Sequence, residues 1–155
     1  MGLGKDFGLA YAKSQISAGN SLPTRGLAFI SLKDKHKNEG IDLAKKLVEL
    51  NFTLCGTEGT ANTIQKNGIK CKKINKVSGG SPHIVDVLNA KKIALVINTG
   101  GGKRAYRILD STSLRRATLI NKVPYCTNMS TAYACLEGIK SLKSKKITVT
   151  SLQDI

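Results

Sequence analysis

Short apolar runs recur along the chain from residue 27 onward, separated by segments with a different periodicity. The runs at residues 27–32, 52–55 and 93–97 predict buried strands. The last of these holds five apolar residues in a row, which is typical of a central parallel strand covered on both faces. Shorter runs at residues 70–74 and 123–126 predict two further strands.

Between these runs, apolar residues recur at the spacing of one helix face. Helices are predicted over residues 39–50, 57–67, 83–88, 110–121 and 132–142. We expect Asp110 or Ser111 to cap the fourth of these helices and Ser130 or Thr131 to cap the last. Residues 147–150 alternate between apolar and polar, which predicts an edge strand.

Repeated β–α units of this length predict a doubly wound α/β fold with a parallel sheet of about five strands. Residues 25–155 are assigned to this domain. Residues 1–24 precede the first unit and predict a short helix capped by Asp6, followed by a connector. A single helix cannot bury its apolar face alone, so it must pack on the domain or on part of a longer protein. We expect the chain to be a fragment of such a protein.

Length and composition exclude several classes of protein. The chain has 155 residues, 41% of them apolar, which fits one globular domain. No apolar run approaches the roughly 20 residues that span a membrane, and the amino end has no signal-peptide core, so a cytoplasmic location is expected. The four cysteines form no CxxC pair, which predicts buried thiols and no metal site.

A net charge of +15 raises the question of nucleic-acid binding. The charge comes from 20 lysines and 5 arginines spread along the chain, and aromatic residues make up only 5%. Proteins that stack bases combine a basic groove with aromatic side chains. The pattern therefore indicates a solvated basic surface that attracts small anions, and no nucleic-acid or membrane partner is expected.

Three loops rich in glycine or threonine follow predicted strands, at the edge where parallel α/β sheets bind ligands. They are residues 55–60, the segment from Lys76 through residues 78–83, and residues 98–104. Glycines let backbone N–H groups approach an anion, threonine hydroxyls add hydrogen bonds, and lysine supplies charge. The loops match neither GxxxxGK[ST] nor GxGxxG, so they predict a small anion pocket, most readily for a phosphate.

No catalytic set is recognisable beside these loops. His83 is the histidine near them, and after Pro82 it can simply begin a helix. Asp34, Glu58 and Asp86 form no recognisable acid/base pair. Binding without turnover therefore fits the residues better than catalysis.

Several motifs occur in a fixed order along the chain. They are Gly56-Thr57-Glu58-Gly59-Thr60, Asn75-Lys76-Val77, Pro82-His83-Ile84-Val85-Asp86, Ile97-Asn98-Thr99, Leu114-Arg115-Arg116-Ala117 and Pro124-Tyr125-Cys126-Thr127. Through them, residues 27–142 resemble a methylglyoxal-synthase-like domain, specifically the carboxyl-terminal allosteric domain of the carbamoyl phosphate synthase large subunit. Residues 1–19 are similar to the stretch that joins the second synthetase unit to that domain.

The resemblance implies a Rossmann-like three-layer sandwich that binds regulators and is itself non-catalytic. It implies that UMP, IMP and ornithine are effectors of an ATP-dependent ligase in pyrimidine and arginine biosynthesis. The partners would be the synthetase domains of the same subunit and a glutaminase small subunit. No cofactor or metal is expected in this segment, since ATP, magnesium and potassium would bind the absent synthetase domains.

The resemblance also assigns site residues. A nucleotide phosphate would contact Lys37, Thr57, Gly59, Thr60 and Lys76. The rest of the effector pocket would be lined by Ser31, Asn98, Thr99, Gly102, Lys103 and Arg104. Tyr125 and Thr127 would contribute to the ornithine site, whose acidic partners lie in the synthetase domain.

The chain departs from the family at the third loop, where residues 100–102 are glycines and members often carry threonine or serine. The alternative is a methylglyoxal synthase-type lyase that acts on dihydroxyacetone phosphate. That family uses aspartates at two loop positions that hold Ser81 and Gly100 here, although Asp34 remains near the first loop. The cyclohydrolase domain of purine biosynthesis shares the fold but is less similar at Asn75-Lys76-Val77.

Overall fold

A computed structural model describes residues 1–100, 105–149, 151 and 153. Its helices are α1 (Phe7–Ser17), α2 (Lys37–Glu49), α3 (Glu58–Lys66), α4 (Ile84–Asn89), α5 (Ala105–Ile120) and α6 (Met129–Ser144). Its strands are β1 (Gly26–Ser31), β2 (Phe52–Gly56), β3 (Lys72–Lys73), β4 (Ile93–Asn98) and β5 (Tyr125–Cys126). Within the described residues, no helix is both long and apolar enough to cross a bilayer.

The five strands form one parallel sheet in the order β3-β2-β1-β4-β5. The central strand β1 places Phe29 beside Cys55 of β2 and Val96 of β4. Helices α1, α2, α3 and α6 cover one face of the sheet, and α4 and α5 cover the other. The predicted three-layer α/β fold is therefore confirmed, and the long apolar run at β4 is a central buried strand.

Two outer strands are shorter than the sequence pattern predicts. β3 pairs with β2 only at Lys72 and Lys73, and β5 pairs with β4 only at Tyr125 and Cys126. Residues 147–149 form no strand, so this part of the predicted edge strand is wrong, and residue 150 lies outside the described residues. Alternation of apolar and polar residues predicts a strand only where a neighbouring strand supplies hydrogen-bond partners.

The predicted caps of α5 and α6 are both wrong. Asp110 and Ser111 lie inside α5, because the carboxylate of Asp110 accepts hydrogen bonds from another segment instead of from its own helix start. The cap of α6 is Asn128, whose side chain accepts from the backbone N–H of Thr131 at 2.8 Å. Ser130 and Thr131 therefore belong to the first turn of that helix.

Residues 1–24 pack on the domain through contact between α1 and α6. Gly8 permits the close approach, since a Cβ there would lie 2.4 Å from the carbonyl oxygen of Glu137. Leu9 and Ala12 are buried, and Leu22 of the connector joins the same core. The helix thus buries Leu9 and Ala12 within the chain but leaves Phe7 63% and Ile16 44% exposed. The division at residue 24 stays a prediction.

Asp6 ties the start of α1 to the end of α6. Its carboxylate accepts from Lys145 Nζ at 2.5 Å, from the N–H of Leu9 at 2.9 Å and from the hydroxyl of Ser141 at 3.1 Å. These bonds, the one from Lys145 foremost, lower the pKa of Asp6 to about 2. Asp6 is therefore the predicted helix cap and also a link between the two helices.

Because its folded-state pKa is lowered from 3.8 to about 2, Asp6 stabilises the fold fully above pH 3.8. That contribution is lost as the pH falls through the folded-state value. Asp6→Asn should lower the urea midpoint at pH 7, and the difference from wild type should shrink progressively below pH 4. Urea titrations between pH 7 and pH 3 test this, with Glu49→Gln on α2 as the control. A difference that stays constant over this range would contradict the role of the carboxylate.

Candidate functional site

A cavity of about 320 Å³ opens at the carboxyl ends of β1, β2 and β4. Its described lining residues are Phe29, Ser31, Leu32, Lys33, Asp34, Thr57, Lys76, Val77, Ile84, Asn98, Gly100, Asp110, Ser111 and Leu114. This is the edge at which parallel α/β sheets bind ligands, as the glycine- and threonine-rich loops predict.

The floor of the cavity is built where β1 leaves the sheet. Beyond Ser31, the backbone N–H groups of Leu32 and Lys33 donate to threonine hydroxyls instead of to strand carbonyls. Leu32 donates to Thr60 Oγ1 at 3.0 Å, and Lys33 donates to Thr99 Oγ1 at 3.2 Å. The N–H of Thr99 donates in turn to the carbonyl of Ser31 at 3.0 Å. Side chains from the β2 and β4 loops therefore fix the path of the β1 loop.

The loop after β2 is held equally closely. Thr57 donates its N–H to the carbonyl of Ile30 at 3.3 Å and its hydroxyl to Thr60 at 3.3 Å. A Cβ at Gly56 would lie 2.6 Å from the same Ile30 oxygen, so this position requires glycine. Thr57 lines the cavity at the start of α3, whereas the hydroxyl of Thr60 accepts the hydrogen bonds from Leu32 and Thr57.

Asn98 ends β4 with its carboxamide oriented at the cavity wall. The N–H of Gly100 donates to Asn98 Oδ1 at 2.9 Å, and Asn98 Nδ2 donates to the hydroxyl of Tyr125 at 2.9 Å. Only 6% of Asn98 is exposed. The guanidinium of Arg115 in α5 lies 6.0 Å from the ring centroid of Tyr125.

Both signs of charge meet at the mouth of the cavity. Lys33 and Lys76 are exposed lining residues that bring positive charge. Asp34 also lines the cavity and pairs with Lys37, whose Nζ lies 2.6 Å from the carboxylate. The site is therefore suited to an anionic group that is bound alongside hydrogen-bonding groups.

Asp110 joins α5 to the short turn at Val77–Gly79. Its carboxylate accepts from the N–H of Ser78 at 3.0 Å and from the Ser78 hydroxyl at 2.8 Å. Because Ser78 follows Lys76 by two residues, this contact holds the lysine-bearing loop against α5 at the cavity.

The structure places the predicted site residues in three groups. Ser31, Thr57, Lys76 and Asn98 line the cavity. The second group lies next to the cavity and consists of Lys37, Gly59, Thr60 and Thr99. Lys37 lies close to Gly59, because a Cβ added at Gly59 would be 3.3 Å from Lys37 Nζ. Tyr125 contacts the cavity through Asn98, and Thr127 is exposed after β5. Gly102, Lys103 and Arg104 lie outside the described residues.

Besides the apolar residues of the wall, the sequence analysis missed three polar residues that line the cavity. Lys33 directly follows β1, which is a signal that could have identified it. Asp110 and Ser111 were interpreted as helix caps, and only the packing of α5 against the sheet brings them to the cavity.

Asp86 and the four cysteines are not among the described residues that line the cavity. Asp86 caps α4, accepting from the N–H of His83 at 2.9 Å and from Ser81 at 3.0 Å, and the His83 bond foremost lowers the pKa of its carboxyl. The four cysteines are buried free thiols, as predicted. Burial raises the pKa of Cys55 to about 12 and that of Cys71 to about 11, so both are protonated near neutral pH. Within the described part of the chain, no cluster of three potential metal ligands occurs.

Comparison with protein families matches residues 39–127 to the MGS-like domain. Over 154 residues the chain is 44% identical to the carbamoyl phosphate synthase large chain of Mesorhizobium japonicum, covering 99% of this chain and 13% of that protein. It is also 44% identical to the C-terminal sections of that large chain from Methanopyrus kandleri and Aquifex aeolicus, covering 100% of this chain and 28% and 29% of theirs. The chain thus spans less than a third of these relatives.

Among solved structures, the fold is similar to that of methylglyoxal synthase from Elizabethkingia anophelis NUHP1. The TM-score is 0.57, with 18% sequence identity over 74% of this chain and 79% of that one. At this level of identity the likeness shows the fold alone, and it agrees with the five-stranded parallel sheet.

The threonine-held floor leads to a stability prediction. Thr60→Val removes the acceptor of a buried N–H at Leu32 and should destabilise the fold by about 1–3 kcal/mol, whereas Thr60→Ser keeps the hydroxyl and should cost less. Urea denaturation of the two variants measures the difference. Equal stabilities of the valine and serine variants would show that the hydroxyl does not hold the β1 loop.

Proposed function

This chain belongs to the MGS-like domain family, and from that premise we propose that it is the effector-binding regulatory domain of a carbamoyl phosphate synthase large chain. Its effector would be a nucleoside monophosphate such as UMP or IMP. The cavity carries this proposal, because it combines lysines and a helix start with an apolar wall.

The charged side of the cavity suits a phosphate. Thr57 is the residue before α3, and the amino end of a helix offers unpaired N–H groups and a partial positive charge to an anion. Lys76 and Lys33 add two mobile positive charges at the same cavity. A phosphate suits such a combination, since its contacts with lysine and with the backbone N–H groups of a helix start are charge-assisted.

The other wall of the cavity is apolar and comes from the sheet face covered by α4 and α5. Phe29, Ile84 and Leu114 belong to that core and reach the cavity, and Val77 packs against the same core. An apolar wall favours the flat ring of a base over an inorganic ion. The volume of about 320 Å³ lies at the lower end of the range for small-molecule sites, which runs from about 300 to 1,000 Å³.

Regulation would require the rest of the large chain. The synthetase domains would respond to the effector through an interface with this domain, and the coupling must be reciprocal, so that synthetase ligands also change effector affinity. Ornithine would bind at that interface with Tyr125 and Thr127, and the glutaminase small subunit would complete the ligase of pyrimidine and arginine biosynthesis. ATP, magnesium and potassium would bind the synthetase domains.

One observation favours the alternative, a methylglyoxal synthase-type lyase acting on dihydroxyacetone phosphate. Two aspartates, Asp34 and Asp110, line the cavity. Asp34 pairs with Lys37, and Asp110 accepts two bonds from Ser78, so each would have to exchange these partners before acting as a base. Release of inorganic phosphate from dihydroxyacetone phosphate would establish this alternative.

Lys76→Ala removes a charge-assisted contact to the phosphate and should weaken UMP or IMP binding by about 1.5–3 kcal/mol, roughly 10- to 150-fold. Isothermal titration at moderate ionic strength measures this loss. Lys140→Ala on α6 is the matched control, because it removes the same charge from an exposed position that does not line the cavity. An equal, small loss in both variants would remove Lys76 from the site.

A further inference from the structure

Asn98 is held at both ends of its carboxamide. The N–H of Gly100 donates to Oδ1, which fixes the oxygen on that side, because a flipped amide would place two donors against each other. The amide nitrogen must then lie on the other side, where it donates to the hydroxyl of Tyr125 at 2.9 Å. Among the described residues, no further partner is recorded for the second N–H and the second oxygen lone pair of Asn98, which lines the cavity.

Tyr125 is well placed to hold this orientation. It begins β5 and pairs in register with Val96 of β4, so its backbone is fixed relative to the strand that carries Asn98. The guanidinium of Arg115 in α5 lies 6.0 Å from its ring centroid. Tyr125 itself is not among the described lining residues of the cavity.

We infer that Tyr125 is a positioning residue for the cavity, whose hydroxyl fixes the carboxamide of Asn98 toward the non-phosphate part of the ligand. This inference rests on the proposed nucleotide site and adds a residue to it that does not touch the ligand. The phosphate contacts at Thr57 and Lys76 do not depend on the hydrogen bond between Tyr125 and Asn98.

Tyr125→Phe therefore separates positioning from phosphate binding. It should weaken UMP or IMP binding about threefold to tenfold, the cost of a lost hydrogen bond, and leave inorganic phosphate binding unchanged. Combined with Asn98→Ala, it should add no further loss, because the two side chains act as one unit. Tyr133→Phe is the control, since its hydroxyl bonds to Asp42 at 3.0 Å on the α2–α6 surface.

A second measurement does not need a ligand. In ¹H–¹⁵N spectra, Tyr125→Phe should shift the side-chain amide signals of Asn98 and speed hydrogen exchange of the Gly100 N–H, while Tyr133→Phe should change neither. Unchanged signals in Tyr125→Phe would overturn the inference. So would nucleotide affinity equal to wild type, or losses that add in the double variant. If wild type binds neither nucleotide, the proposed function fails, and the spectra alone decide whether Tyr125 orients Asn98.

Discussion

The fold of the site depends on how β1 leaves the sheet. At the end of a central strand, the next backbone N–H groups lose their ladder partners while still lying near the core, and an unpaired buried N–H is costly. Here the hydroxyl of Thr60 accepts a hydrogen bond from the N–H of Leu32, and the hydroxyl of Thr99 accepts one from the N–H of Lys33. The loops of three adjacent strands are therefore bound to one another before any ligand arrives. The cavity is a consequence of this arrangement.

This constraint explains why polar residues at strand ends have two kinds of role. Thr60 and Thr99 are 2% and 3% exposed and use their hydroxyls to hold the backbone. Lys33 and Lys76 bring charge to the cavity, while Thr57 both lines it and donates hydrogen bonds to Ile30 and Thr60. A floor already held by hydrogen bonds would reduce the ordering cost of binding a ligand, because fewer groups would have to become fixed. The residues that stabilise the end of the sheet and the residues that line the cavity thus belong to the same loops.

The sequence predicted the parallel sheet and the loops that border the cavity at its edge, because apolar runs and helical periodicity are local signals. It failed where a distant partner decides the structure. From its local sequence Asp110 is predicted to be a helix cap, but in the fold its carboxylate bonds to Ser78. The hydrogen bond between Asn98 and Tyr125 likewise joins residues that are 27 positions apart. The sequence likewise could not distinguish the buried Thr60 from the lining Thr57, since both belong to one motif and differ only in which way the helix start directs them.

The most direct test of the account is a crystal structure of this chain with UMP or IMP. We expect the phosphate at the start of α3, with oxygens about 3 Å from Lys76 Nζ and Thr57. The base should lie against Phe29 and Leu114, and the Asn98–Tyr125 hydrogen bond should be kept. A nucleotide bound elsewhere on the surface, with the cavity left unfilled, would contradict the central claim that this edge of the sheet is the effector site.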